Sequence, residues 1–295
     1  MQTHFAGNLL KLAGAATLAY ALCEPWRIAV PKFDVALPNL PPATQGLRIA
    51  QLSDIHAGLL MPRALVRRII ELCAAQSPDL VVITGDLVTR RNAYPPPLRP
   101  LARPITDYAA ELAQELESLK PPLGTYVVPG NHDLWQNTFG PVADILARAN
   151  VVSLLNRNLR LPNGLPLVGV DDLRAGQPDL RAAFDNIAPD EAQIILSHNP
   201  RLATMFRQRN ALVLSGHTHG GQVALPDKYR PAPVDAQQSF YHRGWFQIGR
   251  AKLYVSSGSG TTGVPVRLGV RPEIAVFTLS NLAQRRGDAE RTKES

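Results

Sequence analysis

Leu80-Val81-Val82-Ile83-Thr84-Gly85-Asp86 decides the fold class. Four apolar residues, three of them β-branched, run without alternation and stop at a Thr-Gly-Asp cluster. An unbroken apolar run of this length suits a strand buried on both faces. The acid then stands at the C-terminal end of the strand, the edge where ligands bind in α/β sheets.

The same rhythm recurs in both directions. Leu47 to Leu52 precedes Ser53-Asp54-Ile55-His56, and Thr125 to Val128 precedes Pro129-Gly130-Asn131-His132-Asp133. Ile194-Ile195-Leu196 precedes Ser197-His198-Asn199, and Leu212-Val213-Leu214 precedes Ser215-Gly216-His217-Thr218-His219. Helices are expected over about 62–76, 107–119, 140–150 and 200–209, with Pro78 and Pro121 limiting the first two. Asn163-Gly164 between two short runs signals a hairpin. Taken singly, Asp-x-His or Gly-Asp is an ordinary turn, and Asn-His-Asp an ordinary helix cap. Five strand ends delivering Asp, His and Asn to one edge point instead to a metal site.

The ordered set Asp54-x-His56, Gly85-Asp86, Gly130-Asn131-His132-Asp133, His198 and Gly216-His217-x-His219 resembles the calcineurin-like metallophosphoesterase superfamily. The resemblance runs from about residue 46 to 279. In wording it is nearer to the bacterial membrane-associated or exported phosphodiesterases, through Leu52-Ser53-Asp54-Ile55-His56, Gly85-Asp86-Leu87-Val88 and Gly216-His217-Thr218-His219-Gly220-Gly221-Gln222. It implies an α/β sandwich of two mixed β-sheets flanked by helices, with metals at the sheet ends. It also implies one metal on Asp54, His56, Asp86 and His219, a second on Asp86, Asn131, His198 and His217, and Asp86 as the bridge. Mixed imidazole and oxygen donors suit Mn²⁺ first, with Fe, Zn²⁺, Co²⁺ or Mg²⁺ as alternatives. Two such ions would hold and acidify a water and neutralise phosphoryl oxygens during in-line attack.

His132 is the spare histidine of the set, and it is assigned to leaving-group protonation or transition-state stabilisation. Many superfamily phosphatases carry an aspartate three residues after the bridging one, paired with this histidine. Here that position is Thr89. Either Asp133 or another acid orients His132, or no such dyad operates. Candidate substrate contacts are Arg90 and Arg91, in a proline-rich basic stretch after Asp86, and His242 and Arg243, in Phe240-Tyr241-His242-Arg243-Gly244-Trp245-Phe246. The first stretch reads equally as a solvated loop or a lipid-facing one, and the second as a strand packed on the core. The glycine-rich turn 258–263 lacks the lysine and spacing of a phosphate-binding P-loop.

The chain has 295 residues, 45% apolar and 19% charged, with a formal charge of +7. That suits an anionic partner, such as a phosphate ester or an acidic lipid surface. No nucleic-acid-binding motif accompanies the charge. Its two cysteines form neither a disulfide framework nor a CxxC site. Phe5 to Cys23 has Asn8 and Lys11 as its only strongly polar members. As a helix it spans about 28 Å, against ~30 Å for a bilayer core. It reads as a retained anchor or monotopic helix, with a cleaved signal or a core helix as alternatives. The expected organisation is an apolar anchor or signal-like helix at 1–24, a proline-rich stretch at 25–45 that reads as an extended linker or an edge strand, the metallophosphoesterase domain at 46–279 and a disordered polar tail at 280–295. The expected function is hydrolysis of phosphodiesters or phosphomonoesters at a bacterial cytoplasmic membrane, with the facing side and oligomeric state open. Alternatives are a UDP-2,3-diacylglucosamine-type pyrophosphatase and a non-catalytic metal-binding scaffold.

Overall fold

The computed structural model describes residues 2–224 and 241–281. Twelve strands among them form two six-stranded sheets. The first has the order β1 (Lys32–Leu37), β12 (Ala275–Asn281), β2 (Arg48–Leu52), β3 (Leu80–Thr84), β4 (Thr125–Val128), β5 (Val151–Ser153). The second has the order β10 (Gly244–Ile248), β11 (Ala251–Val255), β9 (Ala211–Ser215), β8 (Gln193–Ser197), β7 (Pro166–Val170), β6 (Arg157–Arg160). Both are mixed: β2 to β5 run parallel while β12 opposes β2, and β7, β8, β9 and β11 run parallel while β6 and β10 oppose their neighbours.

Successive side chains on a strand face opposite ways, so each unbroken apolar run feeds two cores. Leu80 and Val82 join Ile194, Leu196, Leu212 and Leu214 between the sheets. Val81 and Ile83 face outward against α2 (Arg63–Ala74), α3 (Ile105–Leu116) and α5 (Phe139–Arg148), through Ile69, Leu112 and Leu146. Ile195 and Val213 do the same on the outer face of the second sheet, against Phe184 and Phe206. A run polar at alternate positions would leave one of these layers without a partner surface. The expected helix at 200–209 forms as a 3-10 turn over Pro200–Phe206, capped by the Asn199 side chain. The Asn163-Gly164 hairpin joins β6 to β7.

The stretch 25–45 takes the edge-strand alternative and not the linker one. Residues 32–37 are β1, parallel to β12, with Lys32 opposite Val276 and Leu37 opposite Asn281. Val35, Ala36, Leu37 and Leu40 are buried. Pro31 and Pro38 bracket the strand at the sheet edge, where a missing N–H costs no ladder bond. Ala29 bridges Glu273 further upstream, so the packed domain begins well before residue 46.

Residues Gln2–Cys23 form α1. Its segment Lys11–Tyr20 is exposed. Its end is docked: Ala21, Glu24 and Pro25 are buried, and the Gly269 N–H donates to Glu24 Oε2 at 3.0 Å. Among the described residues, no helix is long and apolar enough to cross a membrane. Of the tail expected at 280–295, residues 282–295 lie outside the described residues, and 280–281 complete β12. Cys23 is exposed and Cys73 is buried in α2.

Candidate metal centre

The parallel ladders continue past the strands as single bonds and carry the site. The Asp54 N–H donates to Gly85 O, and the His56 N–H to Asp86 O, both at 2.9 Å. Gly216 N–H reaches His198 O at 3.1 Å across the second sheet. The backbone turns sharply at five of the donors. Asp54, His56, Asp86, His217 and His219 all have left-handed φ, between 51° and 75°. Each such non-glycine conformation costs on the order of 1 kcal/mol or more and persists only where the surroundings enforce it. Gly85 (φ +88°) lies so close to the next strand end that a Cβ there would meet the Gly130 amide nitrogen at 2.5 Å.

One donor atom from each of Asp54, His56, Asp86 and His219 lies within 4.8 Å of all the others, and all four residues are buried. His56 Nε2 is 3.1 Å from His219 Nε2, and His219 Nε2 is 3.4 Å from Asp54 Oδ1. A second group adjoins it. His198 Nε2 lies 3.2 Å from Asn131 Oδ1, 3.2 Å from His217 Nδ1 and 3.3 Å from Asp86 Oδ2. His198 Nδ1 meets the Thr84 carbonyl at 2.7 Å, so in the neutral ring Nδ1 carries the proton and Nε2 presents a lone pair. Lone pairs therefore converge on each group with too few protons to share among them. Such a donor set fits a cation.

The electrostatics agree. Burial holds the His56 and His217 imidazoles down to about 3, against the pull of Asp86, so both stand ready as neutral ligands. Burial raises Asp54 to about 6. At His198 burial also opposes the charge, but Asp86 and Asp54 outweigh it and push that imidazole up to about 10. A proton there answers the same negative field that a metal would. Asp86 is held well below the usual carboxylate range: burial works against this, and the charge and hydrogen bond of His198 prevail.

All seven residues expected as ligands thus meet at one edge. His132 stands beside them, half-buried, with its ring 4.9 Å from that of His56 and 4.8 Å from that of Trp135. No carboxylate orients it among the described residues, and its Nδ1 is buried without a partner. Asp133 is committed elsewhere, accepting the Leu87 N–H at Oδ1 and the Gly130 N–H at Oδ2. Thr89 backs His56 instead.

A cleft of about 850 Å³ opens over the centre, with Asp86, His132, His217 and His219 in its wall. His242 lines it; Arg243 and Arg91 are not among its lining residues. Arg91 donates to the Arg99 carbonyl within its own loop. Arg90 reaches the cleft indirectly, its guanidinium 4.2 Å over the Trp135 ring. Trp245 packs on Phe33, Tyr254 and Phe277, as a strand residue on the core. The 258–263 turn lies against the site: Ser259 N–H meets Ser53 O, Gly260 N–H meets Asp54 O, and Thr262 lines the cleft.

Tyr241, within the stretch expected as a candidate wall, lines the cleft, while sequence reasoning missed Trp135, Leu173, Arg174 and Arg201, which also line it. Leu173 and Arg174 follow β7, whose run ends Val170-Asp171-Asp172, so the strand-end rhythm carried this signal too. Arg267 was missed as well. It is fully buried and donates to the carbonyls of Gly260, Ser257, Gly258 and His219, tying the turn to the metal ligands.

Residues 47–221 match the family described as calcineurin-like phosphoesterase, so the chain belongs to that family. An uncharacterized metallophosphoesterase of Campylobacter jejuni is 34% identical, over 85% of this chain and 63% of its own. A Bos taurus transmembrane protein with metallophosphoesterase domain is 32% identical, over 85% and 57%. The chain thus spans less than two thirds of these two relatives. An uncharacterized metallophosphoesterase of Aquifex aeolicus is 30% identical, over 88% of this chain and 95% of its own. Family membership and the buried four-residue donor cluster together give the chain a candidate metal site on a calcineurin-like phosphoesterase domain.

Proposed function

We propose that the protein is a two-metal phosphodiesterase that works at a membrane surface. One observation carries the dinuclear reading. Asp86 Oδ2 lies 3.5 Å from His56 Nε2 and 3.3 Å from His198 Nε2, so a single oxygen serves both donor groups. Asp86 Oδ1 is occupied by the His132 N–H at 2.8 Å, which fixes the carboxylate in that orientation. Asp54, His56 and His219 would complete one ion's set, and Asn131, His198 and His217 the other's. Mixed imidazole, carboxylate and amide donors favour Mn²⁺, Fe, Zn²⁺ or Co²⁺, with Mn²⁺ the first to test. When bound, the ions supply Lewis acidity and an acidified water for in-line displacement at phosphorus.

The chain's own residues do the rest. His132 presents its ring to the cleft beside the bridging carboxylate. Burial lowers its imidazole. A neutral ring still offers one N–H, to the phosphoryl or leaving oxygen as charge builds there. Trp135 and His56 hold the ring edge-on from two sides, in place of a carboxylate partner.

Membrane association rests on α1. Leu12, Leu18, Tyr20, Leu22 and Trp26 are all exposed on it or just beyond it. A helix apolar around its whole girth is stable where its surroundings are apolar. Tyr20 and Trp26 stand at the domain end of the helix, with Arg27 bonded to the Tyr20 hydroxyl, as aromatic and basic residues do at a lipid headgroup layer.

The test is metal content together with turnover. The protein should carry two transition-metal ions per chain and hydrolyse bis-p-nitrophenyl phosphate with Mn²⁺ faster than p-nitrophenyl phosphate. Equal turnover by the wild type and Asp86→Asn overturns the two-metal reading. Cleavage confined to UDP-diacylglucosamine would replace the diesterase reading with a pyrophosphatase one.

A further inference from the structure

The cleft is larger and more basic than a single phosphate needs. Its volume of about 850 Å³ is that of a site for a whole small molecule. Among the described residues Asp86 is the only acid in its wall, and Asp86 belongs to the candidate metal donors. Two arginines, Arg174 and Arg201, line the same wall. The metals would already neutralise the scissile group, so this further positive charge has another use.

Neither guanidinium has a carboxylate partner among the described residues. Arg63, Arg67, Arg103 and Arg160 all do. The two sit on prebuilt turns. Asp172, fully buried, accepts the Arg174 N–H at 2.7 Å and the Ala175 N–H at 2.8 Å on Oδ2. Asp171 accepts the Asp172 N–H at 2.8 Å and the Gln177 N–H at 2.7 Å. The Asn199 side chain caps the turn that carries Arg201, accepting its N–H at 3.1 Å. The guanidinium carbons of Arg90 and Arg174 lie 4.2 and 5.9 Å from the Trp135 ring centroid, and the same ring meets that of His132. Leu173, beside Arg174, is 41% exposed at the rim, an apolar side chain left uncovered next to an unpaired cation.

We propose that Arg174 and Arg201, with Trp135 and Leu173 as an apolar wall, form a second anion subsite of the cleft. It selects phosphoesters that carry another negative group beyond the scissile phosphorus, attached to a flat or apolar moiety. This rests on the phosphoesterase reading. A guanidinium meets a phosphate or carboxylate through two parallel N–H bonds, which gives both affinity and geometry. The chemistry is common to a nucleotide diphosphate and to a phosphorylated lipid headgroup.

The test is a charge ladder with the metal-loaded full chain. The probes are p-nitrophenyl phosphorylcholine (cationic), bis-p-nitrophenyl phosphate (no second charge), ADP-ribose (a second phosphate on a nucleotide) and glycerophosphoinositol 4-phosphate (a second phosphate on a lipid-type headgroup). Wild type should favour one or both of the anionic probes over the cationic one in kcat/KM. Arg174→Gln with Arg201→Gln should cut that ratio by about tenfold or more. Arg174→Glu should tilt it further toward the cation, and Arg174→Lys should recover part of it. Metal content and thermal unfolding of each variant separate loss of fold from loss of the subsite. A loss of selectivity on either anionic probe supports the subsite, and the probe affected names its source. A ratio within twofold of wild type in the double variant overturns it while bis-p-nitrophenyl phosphate turnover upholds the phosphoesterase reading. No turnover of any probe by metal-loaded wild type overturns both.

Discussion

Thr89 Oγ1 lies 3.3 Å from His56 Nδ1 and 3.1 Å from the His56 carbonyl oxygen. The residue three places after Asp86 therefore supports the candidate ligand His56 and not the candidate acid His132. The reason is local: the Thr89 N–H donates to Ala57 O, which draws this stretch alongside residues 56–57.

Thr89→Val keeps the shape and removes the hydroxyl. An outer partner of a histidine ligand typically contributes tenfold or more to metal affinity. Calorimetric Mn²⁺ titration should show binding weakened by about 10–100-fold, with the circular dichroism spectrum unchanged. Thr89→Asp should not create a carboxylate–His132 pair, and a gain of activity in that variant would contradict the geometry.

His132→Ala should cost about 10²–10⁴-fold in kcat on a diester with an alkyl leaving group. With p-nitrophenolate, which leaves without a proton, the loss should be far smaller. Equal losses on both substrates would show that His132 does not assist the leaving oxygen.

Arg267→Met leaves carbonyls of the 257–260 turn and of His219 without their donor. Buried acceptors stripped of partners cost on the order of 1–3 kcal/mol each, so urea unfolding should register a loss of at least about 3 kcal/mol. Metal affinity should fall with it, because the same turn braces Asp54.

Removing residues 1–20 spares Ala21 O, which accepts the Arg267 N–H, and Glu24, which accepts the Gly269 N–H. That truncation should leave thermal stability nearly intact while abolishing sedimentation with anionic vesicles. Removing residues 1–26 deletes both bonds and should destabilise by about 2–4 kcal/mol. If the shorter truncation still binds vesicles, α1 is not the membrane contact.

Burial pushes the Cys73 thiol up to about 12 from an ordinary 9.0. Above pH 9 the unfolded chain sheds this proton and the native chain keeps it. The native state then binds more protons, so stability falls as pH rises. Between pH 9 and 10 this group should remove about 1 kcal/mol, and the slope should flatten in Cys73→Ala. In the native protein a maleimide should label Cys23 alone, which is exposed.

Much of the site was legible because its residues sit at the ends of runs that had to be strands. Leu80 to Ile83 and Leu212 to Leu214 are apolar at every position, and only a strand between two cores uses both faces. Residues 25–45 left two readings open because proline marks a linker and an edge strand alike. The pairing of Phe33 with Phe277 joins positions too far apart in the chain for local pattern to announce. Asp171-Asp172 was passed over because its acids bond to backbone and resemble an ordinary turn, yet that turn aims Arg174 at the cleft.

By itself the sequence determined the α/β class, the strand ends and the seven candidate donors, because hydrophobic periodicity and residue type are local properties. Only the tertiary structure decided which oxygen of Asp86 is shared, that Thr89 serves His56, that Asp133 is spent on amides, and that Arg174 and Arg201 share a wall. Those are matters of distance between elements, set by how two twisted sheets pack, and no spacing along the chain encodes them.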